Sequence, residues 1–428
     1  MHCHCKYVDA VVILWYKGSM NKNAYIKREI QAAIRRIAEG FPACAVTGPR
    51  QSGKSTLLRT MFAKTHNYIS FDLIKNREDA KTDPILFLKN AGEKVIFDEI
   101  QYVPELLSYI KLAIDKDRHN YGRYYVTGSQ QFNLMKNLGD TLAGRIALFT
   151  LLPFSSGETA PVMPQSKKTD RDLFIKACLR GAFPEVLLNN SIETETWYSS
   201  YTQTYLERDI RSLYNIGDLM AFNRFMTLCA ARTGTIMNMS SMSKELGVSV
   251  NTVKNWLSVL EASNIIFVLP PYFSNIGKRL VKGFKIYFFD VGYACYLTGI
   301  KNEDMLFKGP MAGQLFENFV IMEMFKKYFN SGVRPRAYFL RTADNIEIDL
   351  LIESGQKLHL FEIKLSMTPT QKMAGEMEKM IDLLKEKSAA KGAVICLAEK
   401  DTYLSAKTDV LTLTSFIKKI DIFNSVKS

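Results

Sequence analysis

The sequence lacks any apolar segment of the about 18 consecutive residues that are needed to span a bilayer. The early apolar stretch at residues 11–16 is too short for a secretion signal, and no basic segment precedes it. The seven cysteines are odd in number and scattered without the spacing of a disulfide framework, as expected for a reducing compartment. We therefore expect a cytoplasmic protein that has no membrane partner.

Nitrogen and sulfur metal ligands are scarce as well. The suggestive cluster is His2-Cys3-His4-Cys5, but neighbouring residues of one strand cannot surround a tetrahedral ion, and no matching pair lies nearby. The sequence therefore predicts no zinc site there. Because a second methionine, Met20, precedes a clean helical pattern, we expect residues 1–21 to be a disordered N-terminal extension.

Repeats and low-complexity tracts are absent, and 47% hydrophobic with 23% charged residues is a globular composition. Acidic residues are in deficit, since 56 Lys and Arg face 43 Asp and Glu and leave a formal net charge of +13. Such an excess favours a polyanionic partner, either nucleic acid or an anionic membrane. The charge by itself does not choose between the two.

Strands and helices alternate in the first third of the chain, with apolar strand patterns at 43–47, 68–73, 94–97 and 123–127 and a further one at 146–151. Alternation predicts a mainly parallel sheet covered on both faces. The polar, proline-containing stretch 155–170 is typical of a boundary loop. The fold class is therefore α/β multidomain, divided into the extension 1–21, a parallel-sheet domain at 22–155, a helical region at 156–235, a winged helix at 236–300 and an α/β module at 301–428.

A glycine-rich octet between the first strand and the next helix matches the pattern GxxxxGK[ST] in full: Gly48, Pro49, Arg50, Gln51, Ser52, Gly53, Lys54 and Ser55, followed by Thr56. Glycines permit a tight loop whose N–H groups face phosphates, and the helix N-terminus adds positive potential. We expect Lys54 to reach the β- and γ-phosphates of ATP and Ser55 to bind Mg²⁺. These nine residues are the predicted ATP-binding loop.

Two acids end the apolar strand at 95–97. We expect Asp98 to contact Mg²⁺ and Glu99 to orient the attacking water, because strand ends face ligand at the carboxyl edge of a parallel sheet. The following strand ends in Thr127, with Ser129 close behind, and a polar residue there is suited to sensing the γ-phosphate.

These motifs together resemble the prokaryotic AAA-type ATPases, members of the AAA+ class, that carry a C-terminal domain of unknown function. The resemblance rests on the runs GPRQSGKST, FDEIQ, TGSQ and LAGR, and extends to GAFP at 181–184 and YLERD at 205–209. It implies an extra strand between the loop strand and the acidic strand. It also implies an arginine on the γ-phosphate, in cis or from a neighbour through self-association of the ATPase domain. Arg145 and Arg208 are the candidates, with surface ion pairs as the alternative.

Residues 243–260 have the pattern of two short helices joined by a glycine turn, and two strands that follow could pair as a wing. Residues 224–285 contain eight Lys or Arg and two Asp or Glu. We expect contacts to DNA bases in the major groove and to phosphates. The candidates for the groove are Thr252, Lys254, Asn255 and Ser258, and those for phosphates are Lys278, Arg279 and Lys282. A rigid spacer or a protein contact is the alternative.

The C-terminal part resembles the PD-(D/E)xK nuclease core. Glu347-Ile348-Asp349 and Glu362-Ile363-Lys364 lie on strand patterns either side of a Ser354-Gly355 hairpin signal, and Glu317 lies on the leading helix. The resemblance implies catalytic roles for Glu317, Asp349, Glu362 and Lys364, with Mg²⁺ or Mn²⁺ on Asp349 and Glu362. We expect the carboxyl groups of Asp349 and Glu362 within about 6 Å of each other. A degenerate nuclease fold is the alternative.

Two functional hypotheses follow. In the first, ATP binding and hydrolysis drive DNA processing by a metal-dependent nuclease. In the second, the protein is a nucleotide-switched regulator that binds DNA or protein through an inactive nuclease fold. A third idea, a scaffold that binds ATP without turnover, is opposed by Glu99, which is the residue expected to activate water.

Overall fold

The computed structural model describes residues 25–128, 141–163, 169–205, 218–272, 283–342, 344, 346–384 and 391–425. The expected extension at 1–21 lies outside the described residues, as do Ser129, Arg208, Lys278, Arg279 and Lys282. None of the described helices combines the length and the apolarity that a bilayer crossing requires.

The first sheet is parallel throughout and is formed by β1 (Ala43–Thr47), β2 (Asn67–Ser70), β3 (Val95–Asp98), β4 (Tyr124–Thr127) and β5 (Ile146–Thr150). Its strand order is β2-β3-β4-β1-β5. The strand β4 thus lies between β1 and the acidic strand β3, which confirms the extra strand that the sequence predicts. The carboxyl ends of β1, β3 and β4 meet at one edge, where ligands bind in sheets of this kind.

Five helices cover the two faces of this sheet: α1 (Ile30–Ala38), α2 (Lys54–Phe62), α3 (Ile74–Thr82), α4 (Pro84–Ala91) and α5 (Leu106–Lys116). Helix α1 buries Ile30, Ala33 and Ile34, which recur at helical spacing and pack with α2 against one face. Helix α5 buries Leu107, Ile110 and further apolar residues against the other face. Burial on both sides explains why β1 and β3 are apolar along their length up to the polar residue that ends each.

A helical region follows, with α6 (Ser156–Thr159), α7 (Asp170–Arg180), α8 (Pro184–Leu188), α9 (Thr194–Tyr205) and α10 (Leu219–Ala231). Next come β6 (Ile236–Met237), α11 (Met239–Leu246), α12 (Val250–Ala262), β7 (Ile266–Leu269) and β8 (Phe284–Phe288). The three strands form an antiparallel sheet in the order β6-β8-β7. Gly247 ends α11 in the left-handed conformation, at the turn that the sequence predicts between the two helices.

The last part contains α13 (Val291–Leu297), α14 (Glu303–Lys308), α15 (Ala312–Asn330), β9 (Arg336–Arg341), β10 (Glu347–Ser354), β11 (Lys357–Ile363), α16 (Gly375–Leu383), β12 (Gly392–Ile395), β13 (Thr402–Ser405), β14 (Thr408–Leu411) and α17 (Leu413–Ser425). Its sheet is mixed and six-stranded, in the order β13-β14-β12-β11-β10-β9. Strands β10 and β11 pair antiparallel with Ser354 opposite Lys357, as the hairpin signal predicts. The strands β12 to β14 extend the sheet beyond what the sequence pattern indicates.

Helix α15 is buried along most of its length and contacts both β8 and the parallel-sheet domain. Its first turns pack on β8, and its last turns lie against α1 and β5 of the parallel sheet. Near the far end, Asn330 donates to Glu29 at 3.2 Å, and Arg36 donates to the Ser331 carbonyl at 3.3 Å. The helix therefore contacts both the ATPase domain and the acidic residues of the C-terminal part.

Candidate nucleotide site and acidic cluster

The phosphate loop leaves β1 and enters α2, and its backbone requires glycine at two points. Gly48 has φ 136°, and a Cβ there would lie 2.1 Å from the Leu151 carbonyl oxygen. Gly53 has φ 93° and precedes the first helical residue of α2. Gln51, with φ 60°, is a non-glycine residue in the same left-handed region. Such strain concentrates at functional sites, and here it closes the loop around the α2 N-terminus.

Lys54 begins α2 and is only 5% exposed. Its ammonium donates to the carbonyls of Gly48 at 3.1 Å and Pro49 at 2.9 Å. These bonds hold the Lys54 ammonium within the loop. When ATP binds, we expect its phosphate oxygens to accept hydrogen bonds from the same ammonium.

Asp98 is buried at the end of β3 and is held by hydroxyl groups. It accepts a hydrogen bond from Ser55 Oγ at 2.8 Å, from the Tyr68 hydroxyl at 2.5 Å and from Thr127 Oγ1. The Ser55 contact brings together the two side chains predicted to bind Mg²⁺. Hydroxyl and carboxylate oxygens are the ligands this ion prefers, so the donor set fits it.

Tyr68 is a residue that the sequence analysis missed. It lies on β2, and the Arg59 guanidinium stacks 4.9 Å from its ring centre. A tyrosine on a partly exposed strand gives no sequence signal of its own, because its contact with Asp98 depends on β2 lying next to β3.

Glu99 follows directly and also adopts the left-handed region, with φ 56°. Its N–H donates to Thr127 Oγ1 at 3.1 Å, and its carboxylate accepts from the Gln101 amide. Thr127 is fully buried, and its hydroxyl bonds both Asp98 and Glu99. It therefore links the acidic turn to β4. A role for Thr127 in sensing the γ-phosphate stays a prediction.

The predicted contact of Arg145 with ATP needs a correction. It immediately precedes β5 at the amino-terminal edge of the parallel sheet, as the pairing of Ala43 with Ile146 shows. Its guanidinium binds both carboxylate oxygens of Asp115, at 2.6 and 3.1 Å. The phosphate loop is at the opposite edge of the sheet. Arg145 therefore cannot bind ATP in its own chain, and only the contact from a neighbouring chain stays a prediction.

The C-terminal acids are arranged around two lysines, one of them buried. Lys285 of β8 is 1% exposed, and its ammonium lies 3.0 Å from Glu317, 2.8 Å from Glu347 and 3.9 Å from Asp349. Tyr287, also on β8, donates to Glu317 at 2.6 Å. We name Lys285, Glu317, Glu347, Asp349, Glu362 and Lys364 the acidic cluster. Its central cation is an amino-acid side chain that the sequence analysis did not assign.

The second lysine joins the two strands that the sequence predicts to be paired. Lys364 lies 3.0 Å from Asp349 and 2.7 Å from Glu362, which keeps these two carboxyl groups within the expected about 6 Å. Asp349 also accepts from the Ile363 N–H at 2.8 Å. The expected convergence on one open metal position is not found, because Glu317 turns to Lys285 while Glu362 turns to Lys364. Within the described ranges, no group of three or more His, Cys, Asp or Glu residues is placed to hold a metal ion.

Burial and charge set the protonation of these acids. Burial raises the pKa of Glu362 to about 9, and the neighbouring Asp349 adds to the rise. Burial likewise raises the pKa of Glu317 to about 7. Burial would also raise the pKa of Asp349, but Lys285 and Lys364 outweigh it and hold that pKa below its usual value. At neutral pH Asp349 is thus the firmly charged acid, and Glu362 retains its proton.

The residues predicted to contact DNA bases lie on α12. Val253, Trp256, Leu257 and Leu260 are buried, and the opposite face exposes Lys254, Asn255 and Ser258. Thr252 is partly exposed and bonds the cap residue Ser249 at 2.8 Å. This exposed face is polar and carries one positive residue, Lys254, and one acidic residue, Glu261. Contact of this face with DNA stays a prediction.

Comparison with known proteins places the chain in a family. The model for an AAA domain matches residues 40–160, and models for domains of unknown function match 171–304 (DUF8612) and 312–416 (DUF4143). Uncharacterized protein Rv2008c of Mycobacterium tuberculosis and uncharacterized protein Mb2031c of Mycobacterium bovis are each 30% identical over 347 residues, which is 80% of this chain and 75% of each relative. The chain belongs to the same family as these mycobacterial proteins.

The AAA-domain match covers the phosphate loop, the acidic turn and β4. The chain therefore has an AAA-type ATPase domain and is an ATP-binding, ATP-hydrolysing protein. Among solved structures, the Walker-type ATPase PABY2304 of Pyrococcus abyssi aligns with 17% identity and a TM-score of 0.45, covering 65% of this chain and 97% of that one.

Proposed function

We propose that the protein is a nucleotide-switched ATPase that binds DNA, and that its C-terminal module is a nuclease-like fold kept for binding rather than cleavage. The observation that carries this proposal is the Lys285 ammonium among Glu317, Glu347 and Asp349. A divalent ion would need the same carboxylate oxygens. It would also be repelled by a fixed ammonium that has no route to solvent, since Lys285 is 1% exposed.

In the ATPase domain, the proposal assigns phosphate contacts to Lys54 and to the loop N–H groups. Ser55 and Asp98 hold Mg²⁺, which supplies positive charge to the phosphate oxygens. Glu99 orients water for attack. The left-handed turn at Glu99 supports this, because it is a strained conformation retained beside the phosphate loop.

We propose that the region from α10 to β8 binds the DNA. Its order of helix, strand, two helices and a strand pair, with β8 central, supports the winged-helix interpretation. Helix α12 then lies in the major groove with Lys254 and Asn255 towards the bases. Lys278, Arg279 and Lys282, between β7 and β8, are assigned to phosphates.

Metal-dependent cleavage is the second candidate, and one observation favours it. Asp349, Glu362 and Lys364 do meet, and Lys364 is 39% exposed along its side chain. A plasmid-cleavage assay with ATP and Mg²⁺ or Mn²⁺, run beside Asp349→Ala, decides between the candidates. We expect intact plasmid with both proteins, whereas nicking by wild type alone would replace the proposed function with the nuclease.

The DNA proposal is tested by binding at several salt concentrations. Affinity should fall steeply with salt, and replacing Lys278, Arg279 and Lys282 with alanine should flatten the slope by about one unit for each lost phosphate contact. Lys254→Ala with Asn255→Ala should weaken binding. Lys308→Ala serves as the matched control, since this lysine is exposed and pairs with Asp304 on α14. Binding without salt dependence, or equal binding by all variants, would favour the spacer alternative.

The switch is tested by adding nucleotide. In a Glu99→Gln background, which we expect to hold ATP without turnover, DNA affinity should differ at least about tenfold between saturating ATP and no nucleotide. Equal affinity in the two conditions would remove the switch from the proposal and leave two independent activities.

A further inference from the structure

The guanidinium of Arg28, just before α1, is buried beneath the phosphate loop. The residue is 4% exposed, and its planar head lies 4.5 Å from the Phe154 ring centre. It donates from Nη1 to the Ser52 carbonyl at 3.0 Å, from Nη2 to the Leu152 carbonyl at 2.7 Å and from Nε to Glu158 at 2.8 Å. Burying this charge is costly unless its donors are satisfied, so these bonds fix its position closely.

The bond to Ser52 fixes a peptide group inside the phosphate loop. In a trans peptide the carbonyl and the next N–H point in opposite directions, and the described parts of the chain contain no cis peptide bond. Holding the Ser52 carbonyl towards Arg28 therefore directs the Gly53 N–H away from it. Gly53 precedes the first residue of α2, where N–H groups face the phosphates. Arg28 thus orients a loop N–H donor through the Ser52 carbonyl, while its other bonds go to Leu152 and Glu158.

The bond to Glu158 extends the connection to α15. Glu158 also accepts from the Ser155 N–H at 2.9 Å and the Glu29 N–H at 2.8 Å, which fastens the segment 154–158. On its other side, this segment meets α15. The Ser156 N–H donates to Glu323 at 2.5 Å, and Lys326 donates to the Phe154 carbonyl at 3.0 Å.

Helix α15 then carries the connection to the acidic cluster. It has 19 residues, which corresponds to about 28 Å at 1.5 Å per residue. Its first turns hold Glu317, bonded to Lys285, and Asn318, which donates to the Phe288 carbonyl at 2.8 Å. Both partners lie on β8, the central strand of the proposed DNA-binding region.

From these contacts we propose that Arg28 is a positioning residue: it sets the phosphate loop for ATP and ties the conformation of the loop, through Glu158, to α15. The connection deepens the proposed switch but relies only on nucleotide binding. A protein that failed to bind DNA would therefore leave it standing.

The first test measures ATP affinity for Arg28→Lys, which retains the charge but cannot place three donors in a planar fork. We expect the Kd for ATP to rise at least about tenfold. Arg123→Lys is the matched control, because Arg123 also donates to two backbone carbonyls, of Glu93 and Ala113, and stacks 4.8 Å from the Tyr124 ring centre, at the edge of the sheet away from the loop. Comparable loss of thermal stability in both variants with unchanged ATP affinity would reduce Arg28 to a structural role.

The second test follows hydrogen exchange of peptides covering 48–62 and 312–330 in a Glu99→Gln background. Saturating ATP should slow exchange in both segments. Adding Arg28→Lys should abolish the response of 312–330 while saturating ATP still protects 48–62. If that variant does not fold, Glu158→Gln carries the same test with a smaller expected change, since its amide oxygen still accepts from Arg28. An α15 segment that ignores ATP in the parent, or still responds in the variant, would overturn the coupling.

Discussion

The nucleotide site and the acidic cluster both contain buried carboxylates and at least one lysine, but different groups hold the carboxylates. Asp98 is held by the hydroxyls of Ser55, Tyr68 and Thr127. Glu317, Glu347 and Asp349 are held by the Lys285 ammonium. Hydroxyls satisfy hydrogen bonds and leave the negative charge in place, whereas an ammonium offsets part of it. The first arrangement is ready for an incoming cation, and the second already contains one.

The largest expected effect concerns ATP turnover at the nucleotide site. Glu99→Gln should bind ATP with wild-type affinity and hydrolyse it about 10²- to 10⁴-fold more slowly, since the water loses its base. A coupled phosphate-release assay with a separate ATP-binding titration checks both halves. Wild-type turnover in the variant would remove Glu99 from the chemistry and weaken the contrast between the two sites.

Replacing Lys285 and replacing Lys54 with methionine should produce opposite defects. Lys285→Met should lower the free energy of unfolding by about 3–5 kcal/mol, because it leaves the buried Glu317 without its cation, and should leave ATP affinity within about twofold. Glu347 keeps its ion pair with Arg341, and Asp349 keeps its ion pair with Lys364. Lys54→Met should weaken ATP binding about 10- to 100-fold with a smaller loss of stability, since it leaves the neutral Gly48 and Pro49 carbonyls rather than a buried carboxylate without their usual partner. Chemical denaturation and calorimetry measure these quantities. Equal stability losses would mean that the two lysines play the same part.

A smaller effect is expected in the pH dependence of stability. The folded Glu362 carboxyl holds its proton up to about pH 9, whereas the unfolded one releases it near 4.5. The native state therefore binds the extra proton between these values, and this group makes wild type lose stability as pH rises through that window. Glu362→Gln should remove the loss and gain at least about 1 kcal/mol relative to wild type between pH 5 and pH 9. A pH-independent difference between the two proteins would show that Glu362 is ionised in the fold.

The nucleotide site was predictable because its residues are contiguous and its context is periodic. The octet at 48–55, the acids at 98–99 and the alternation of strands and helices together determine which edge of the sheet holds ATP. Arg145 was misplaced although the predicted strand 146–151 begins directly after it, which in a parallel sheet puts it at the amino-terminal edge, away from the phosphate loop. Tyr68 and Arg28 gave no signal, since each reaches the site from a separate element.

The acidic cluster was predictable only in part. The period of two along β10 and β11 brings Asp349, Glu362 and Lys364 together, and the hairpin sets their register. Lys285 comes from β8 of another region, so nothing in the local pattern reveals that it lies among these acids. That one side chain changes the interpretation from a metal site to a site with a built-in cation.

Counting bound Mn²⁺ by electron paramagnetic resonance tests this account most directly. Nucleotide-free wild type and Asp349→Asn should bind the same number of Mn²⁺ ions per chain, because Lys285 and Lys364 already supply the positive charge that the acidic cluster requires. Wild type that binds one more tight Mn²⁺ than Asp349→Asn, and cleaves plasmid DNA when that ion is bound, would contradict the account and make the C-terminal module a metal-dependent nuclease.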